Sequence, residues 1–417
     1  MTQPSAAGSL RFARTSWILL DWAASGFSTV LITLVVAYVE RVVFPGGAWG
    51  VEAGVIWAWT LAAAMLASAL LAPWVSAWAD RLHAHQRALV AATALGVGGL
   101  LALAAVPSAI GSAVLATVVV ACVGFDLAQV FTGSLLPRIA DHDADRLSAR
   151  GFAAGYAGGA LALILATAVF AARGRLGLDA AGGLRLAFAF TAAWWLMFSL
   201  PAAAARFGSG NAVGHAANSG RELVAFARNL VAGTGTEASP RLATVLCGSM
   251  LALGAVQTGI AQFSSLAIQR FNLDGPALVR LVLLVQAVAL PGALGIGWLS
   301  VRCGRRVAVA VCVGGWIVVL VLAWFVQTPA HLHWLAALLA LVLGGIQSLL
   351  RAAVAVLAPQ GRSGVTFGLL QVGTKLAGCV SGVAFGALQL ASGEPRAGLL
   401  ALAAQLAIAW WLLRRMP

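Results

Sequence analysis

Apolar runs of roughly twenty residues recur along the whole chain, separated by short stretches that hold most of the Arg, Asp, His and Pro. A run of that length crosses the hydrocarbon core of a bilayer as an α-helix, about 30 Å at 1.5 Å per residue. The pattern predicts twelve helical spans, the first six over 17–38, 52–76, 88–107, 109–134, 151–172 and 186–205. The second six are predicted over 242–268, 277–299, 306–327, 332–358, 364–391 and 396–413. Phe207 to Pro240 is the longest polar stretch and carries a short helical pattern, Arg221 to Val231. The chain therefore divides into an N-terminal six-helix bundle (1–206), a linker (207–240) and a C-terminal six-helix bundle (241–417).

Composition agrees with lipid as the outer solvent. Hydrophobic residues make up 61% of the 417 and charged residues 9%, with a mean hydropathy of +0.94. A water-soluble domain carries about 25% charged residues, because its surface must be hydrated. The expected class is thus an all-α integral membrane protein, multi-pass, in a lipid bilayer. The net charge of +13 is spread singly and in pairs between apolar runs, without the concentrated basic footprint of a nucleic-acid binder. Nearly all of the basic residues are Arg and Lys375 is the one Lys, which together with the abundant Ala and Gly fits a GC-rich bacterial genome.

Charge placement sets an orientation. With both termini in the cytoplasm, 17 of the 26 basic residues fall in inside loops and seven outside, while Arg351 and Lys375 fall within spans. Positive charge favours the cytoplasmic side, so a bacterial inner membrane with both termini inside is expected; only the 173–185 loop opposes this. The first apolar run holds Asp21 and no small-residue cleavage site ends it, so it reads as a retained helix rather than a signal peptide. The five cysteines (Cys122, Cys247, Cys303, Cys312, Cys379) form no CxxC pair, and no metal or other cofactor is expected.

Two loops repeat. Ser76-Ala-Trp-Ala-Asp80-Arg81 follows span 2, and Gly297-Trp-Leu-Ser-Val301-Arg302-Cys-Gly304-Arg305-Arg306 follows span 8, with an offset of 221 residues. Both resemble the short signature Gly-x-x-x-Asp-Arg-x-Gly-Arg-Arg of the major facilitator superfamily. The first lacks its glycines, and the second has Val301 in place of the acid. The resemblance implies two pseudo-symmetric six-helix bundles that work as a secondary transporter.

Longer stretches resemble one branch of that superfamily, the vacuolar amino-acid effluxer-like family. Span 1 opens Trp17-Ile-Leu-Leu-Asp21-Trp22-Ala-Ala-Ser25-Gly-Phe27, similar to the family's Trp-x-x-x-Asp-Trp-Ala-x-Ser-x-Phe. Gly133-Ser-Leu-Leu-Pro137 is similar to its Asn-x-Phe-Leu-Pro, and Ser148-x-x-Gly151-x-x-x-Gly155-Tyr-x-Gly158-Gly159 to its span-5 entry. Gly344-Gly-Ile-Gln347-Ser-Leu-Leu-Arg351 resembles its span-10 motif, and Phe367-Gly368 with Lys375 resembles its span-11 pattern. In span 7 the family carries Asp-Gly-Val-x-Thr where this chain has Gly254-Ala-Val-Gln257-Thr258, so an acid is missing.

Ionisable and polar groups within spans mark the candidate site, since each charge costs about 2.5–3.5 kcal/mol at a helix centre. Asp21, Asp126, Gln257, Gln347 and Arg351 lie on spans 1, 4, 7 and 10, which the resemblance places around a central cavity. Spans 3, 9 and 12 hold no charge in their apolar runs, nor does span 6 between Phe188 and Pro201; the superfamily layout makes these four the lipid-facing helices. Asp126 and Gln347 share the 221-residue offset of the two loops. Asp21 is read either as a proton or cation site or as a structural carboxylate paired with an Arg. Arg351 is either a counter-charge to these acids or a side chain snorkelling to the interface. Lys375, near the middle of span 11, is a partner for a substrate carboxylate or a structural cation. The resemblance implies that Asp80, with Arg81 and Arg362, forms a conformational latch at the start of span 11, where the helix dipole favours an acid.

The expected function is movement of a small solute by alternating access. The family resemblance narrows it to proton-linked export of an amino acid or related metabolite; a monomer is expected. Two other readings stand beside it. One is an intramembrane enzyme, opposed by the placement of all six histidines in loops or at span ends. The other is a transporter-like sensor or scaffold. The chain has no Gly-x4-Gly-Lys-Ser/Thr loop to bind ATP.

Overall fold

The computed structural model describes residues 6–140, 142–208, 240–271, 275–394 and 396–414, with 225, 228 and 416. The expected linker, with its helical piece over 221–231, lies almost wholly outside the described residues. Among the described residues the regular structure is helical, apart from an isolated bridge between Ala48 and Val51. Helix α1 (Ala6–Val30) runs on through π-helical Leu31–Val35, Val36–Tyr38 and π-helical Val39–Val43. The next five are α2 (Ala53–Arg81), α3 (His85–Ala105), α4 (Gly111–Leu135), α5 (Ala144–Ala171) and α6 (Ala180–Ala204). Then follow α7 (Pro240–Phe271), α8 (Gly275–Cys303), α9 (Arg305–Trp324), α10 (Pro329–Leu357), α11 (Ser363–Ser392) and α12 (Gly398–Leu413). Eleven are long and apolar enough to cross a membrane; α12, with 16 residues, is apolar but shorter.

The predicted spans coincide with these helices, and the largest differences are at two N-termini. Helix α1 starts at Ala6 and α5 at Ala144, ahead of the predicted 17 and 151. Hydropathy marks where side chains turn apolar, whereas the backbone ladder continues into the polar flanks, so Arg11, Arg146 and Arg150 sit exposed on helical turns. Pro73, Pro201 and Pro291 lie inside α2, α6 and α8. A spanning helix tolerates proline because no better backbone arrangement exists in hydrocarbon.

The chain forms two compact units. The first comprises Met1–Leu71, His85–Thr132 and Ala154–Phe207. Helix α6 packs on both α1 and α3 there, and Trp17, Phe27, Tyr38, Phe131, Phe188 and Trp195 are fully buried. Phe27 stacks on Trp195 at 5.1 Å and touches the Phe125 ring at 5.4 Å. Such pairs contribute about 0.5–1.5 kcal/mol each beyond area, in a setting where lipid removes the usual hydrophobic drive between helices. The glycines of α5 form a helix-packing stripe: Gly155 faces the backbone of Asp21, Gly158 faces Trp22, and Thr29 Oγ1 donates to the Gly159 carbonyl at 3.1 Å.

The second unit comprises Ala72–Ala84, Gly133–Ala153 and Gly208–Pro417. It holds α7 to α12 together with the end of α2, the end of α4 and the start of α5. Its core runs along α10, from Leu332 to Ala355, against α8, α9 and α7. Trp316 of α9 is its largest fully buried side chain.

Candidate functional site

In the first unit, two carboxylates are set deep in apolar helices. Asp21 on α1 is 5% exposed and Asp126 on α4 is 8% exposed. Two contacts fix the register of these helices. Trp17 Nε1 donates to the Thr132 carbonyl at 2.7 Å, and the Phe27 ring meets Phe125. Positions rise on α1 as they fall on α4, so the helices are antiparallel. Counting 1.5 Å per residue from each contact puts Asp21 and Asp126 within about 3 to 8 Å of one another in depth.

In the second unit, Arg351 is held by the first turns of α5. Its Nε donates to Ser148 Oγ at 3.0 Å, one terminal nitrogen donates to the Ser148 carbonyl at 3.2 Å, and the guanidinium lies 4.3 Å from the centre of the Phe152 ring. Ser148 Oγ in turn donates to the Ser348 carbonyl at 2.8 Å. Gln347 is half-buried and its amide donates back to Leu343 within α10. Lys375 is half-buried near the middle of α11, and Gln257 is exposed on α7.

The missing acid of span 7 has a structural counterpart. A Cβ at Gly254 would stand 2.7 Å from both the Ala377 methyl and the Gly378 nitrogen, so α7 and α11 meet there backbone to backbone. One turn on, Thr258 Oγ1 donates to the Gly378 carbonyl at 3.1 Å. The position to which the family resemblance assigned an acid is here a helix contact with no room for a side chain.

The two signature loops end in different chemistry. Asp80, at the end of α2, is 7% exposed; its Oδ1 accepts from the Gly364 N–H at 2.9 Å and its Oδ2 from the Val365 N–H at 2.6 Å. The acid thus satisfies two of the orphan donors that begin α11, where the dipole is positive. Gly364 permits this approach, since a Cβ there would lie 2.8 Å from Asp80 Oδ1 and 2.9 Å from the Ser76 carbonyl. Arg362 is half-buried just before α11, while Arg81 is exposed.

At the second loop the charges are exchanged. Asp145, in the first turn of α5, accepts from Ser300 Oγ at 2.5 Å and from Arg305 Nε at 2.9 Å, and its Oδ1 lies 2.8 Å from a terminal nitrogen of Arg305. The acid is in the first turn of α5 and the cation is the first residue of α9, which together supply what Val301 cannot. Sequence reading did not single out Asp145, and it quoted Ser148 and Ser300 only as members of motifs, without a role. An acid in the first turn of a helix, paired with a signature loop that has lost its own acid, is the signal that points to them.

Comparison with known proteins follows the same lines. A family model described as "Vacuole effluxer Atg22 like" matches residues 40–417. The chain is 26% identical over 369 residues to the "Uncharacterized MFS-type transporter YxiO" of Bacillus subtilis (strain 168), covering 87% of this chain and 85% of that one. Among solved structures it is similar to the E. coli major facilitator superfamily transporter FucP in the outward conformation, with a TM-score of 0.74 at 12% identity over 98% and 99% of the two chains. It is also similar to the human organic anion transporter MFSD10, with a TM-score of 0.72 at 14% identity over 99% and 100%. At these identities the structural likeness establishes the fold.

Proposed function

Because the chain belongs to the vacuole effluxer Atg22-like family, and is a multi-pass transporter of the major facilitator superfamily rather than an enzyme, we propose that it exports an amino acid or a related small metabolite. Export is coupled to protons and proceeds by alternating access of the 1–206 and 241–417 bundles. The observation that carries this reading is the pair of buried carboxylates, Asp21 and Asp126, at similar depth in α1 and α4. An acid there is retained against its desolvation cost because it exchanges a proton or binds a cationic group. Lys375 and Arg351 supply positive charge for a substrate carboxylate, and Gln257 and Gln347 supply neutral hydrogen-bonding groups. The monomer is the transporting unit, in a bacterial inner membrane with both termini in the cytoplasm.

Asp80, with Arg362 and Arg81, works as a latch, and so does the Asp145–Arg305 pair. Both hold the signature-loop ends of α2 and α5 to α11, α8 and α9 and release them during each cycle. They govern how fast the transporter turns over and leave its selectivity unchanged.

The test is counterflow. Proteoliposomes preloaded with one unlabelled solute are given a trace of the same solute in labelled form, across amino acids, hexoses and organic anions. Transient accumulation of an amino acid is the expected outcome. Accumulation of a hexose or an organic anion alone would remove the substrate assignment and leave the transport reading in place.

A further inference from the structure

The first unit carries a shallow, open groove, floored by Leu20, Leu89 and Ser199 and rimmed by Val90, Leu196 and Leu200. Its walls are α3 and α6, with Leu20 of α1 at its floor. Val90 is 42% exposed, Leu196 44% and Leu200 56%, so the groove opens on the outer, lipid-facing side. From 196 to 203 it runs about 10 Å along α6, the length of the upper part of an acyl chain.

One mouth of the groove is cationic. Gln86 Nε2 donates to the carbonyls of Ala202, Ala203 and Ala205 at 2.9, 3.0 and 2.7 Å, tying the start of α3 to the end of α6. Arg87 follows Gln86, one turn before Val90 and two turns before Ala94 on the same rim. Arg206 stands three residues beyond Ala203, past the end of α6. Both arginines are exposed, and neither α3 nor α6 contains an acidic residue. Two exposed arginines at the end of the helix pair that walls an apolar groove complement a phosphodiester with a fatty chain.

We propose that this groove is a specific site for one anionic phospholipid, its phosphate held by Arg87 and Arg206 and the start of one acyl chain lying over Leu20 and Leu89. The site is on the outside of the first unit, and its occupancy is independent of the transported solute. A neutral, zwitterionic lipid fits the groove but gains no net charge attraction at its mouth.

Native mass spectrometry of the purified full chain, titrated with phosphatidylglycerol or phosphatidylcholine, tests this. Wild type is expected to bind one phosphatidylglycerol at least about tenfold more tightly than phosphatidylcholine, given two cations at the surface. The Arg87→Gln/Arg206→Gln variant should lose that preference while still binding both lipids weakly. Ala203→Trp, which fills the groove, should weaken both. Soluble glycerol phosphate should compete with neither, which separates a lipid site from a free phosphate site. Helical circular dichroism and the thermal transition of each variant establish that it is folded. Equal affinity of wild type for the two lipids, or an undiminished preference in the folded double variant, would overturn the proposal.

Discussion

At Gly254 a single missing side chain decides what a helix can do. The α7–α11 contact requires bare backbone there, with the Ala377 methyl and the Gly378 nitrogen both 2.7 Å from where a Cβ would stand. Introducing an acid by Gly254→Asp should therefore destabilise the fold. Overpacking costs about 1–3 kcal/mol, and a charge in hydrocarbon adds about 2.5–3.5. Thermal unfolding in detergent should fall by several degrees, and an unchanged transition would mean that α7 and α11 are not held this closely. Asp21 and Asp126 were legible from sequence because a charge inside an apolar run stands out. Asp145 was not, since it lies ahead of the hydropathy-defined span. Its partners Ser300 and Arg305 are 155 and 160 residues away, and only the folded chain brings them together.

At the element scale the two proposed latches differ in kind. Helix α11 begins with N–H groups that Asp80 satisfies, so the first contact is an acid capping a helix. Helix α5 begins with its own acid, so the second contact is an ion pair to the arginine that opens α9. Asp80→Ala leaves two buried donors without their carboxylate, a loss of about 1–2 kcal/mol for a capping group. We expect the maximal transport rate to change by about tenfold, with KM altered less than threefold. Gly364→Ala should give the same phenotype, because its Cβ displaces the same carboxylate. A change in substrate preference in either variant would move Asp80 from latch to binding site. The helices themselves were readable almost throughout, because a bilayer allows one local structure and fixes its length. The starts of α1 and α5 escaped because polar residues are as helical as apolar ones once a helix is nucleated.

The whole molecule is a major facilitator fold whose polar groups are sparse and unevenly placed. Asp21 and Asp126 are on α1 and α4, while the intramembrane cations Arg351 and Lys375 are on α10 and α11. In the proposed function the two buried acids of the first unit are the candidates for proton binding. The most direct measurement is accumulation of the counterflow substrate in proteoliposomes under an imposed pH gradient, comparing wild type with Asp21→Asn and Asp126→Asn. Gradient-driven accumulation in wild type, lost in at least one variant that still exchanges solute, is the predicted result. Accumulation that ignores the pH gradient in wild type, or that survives in both variants, would contradict proton coupling through these carboxylates.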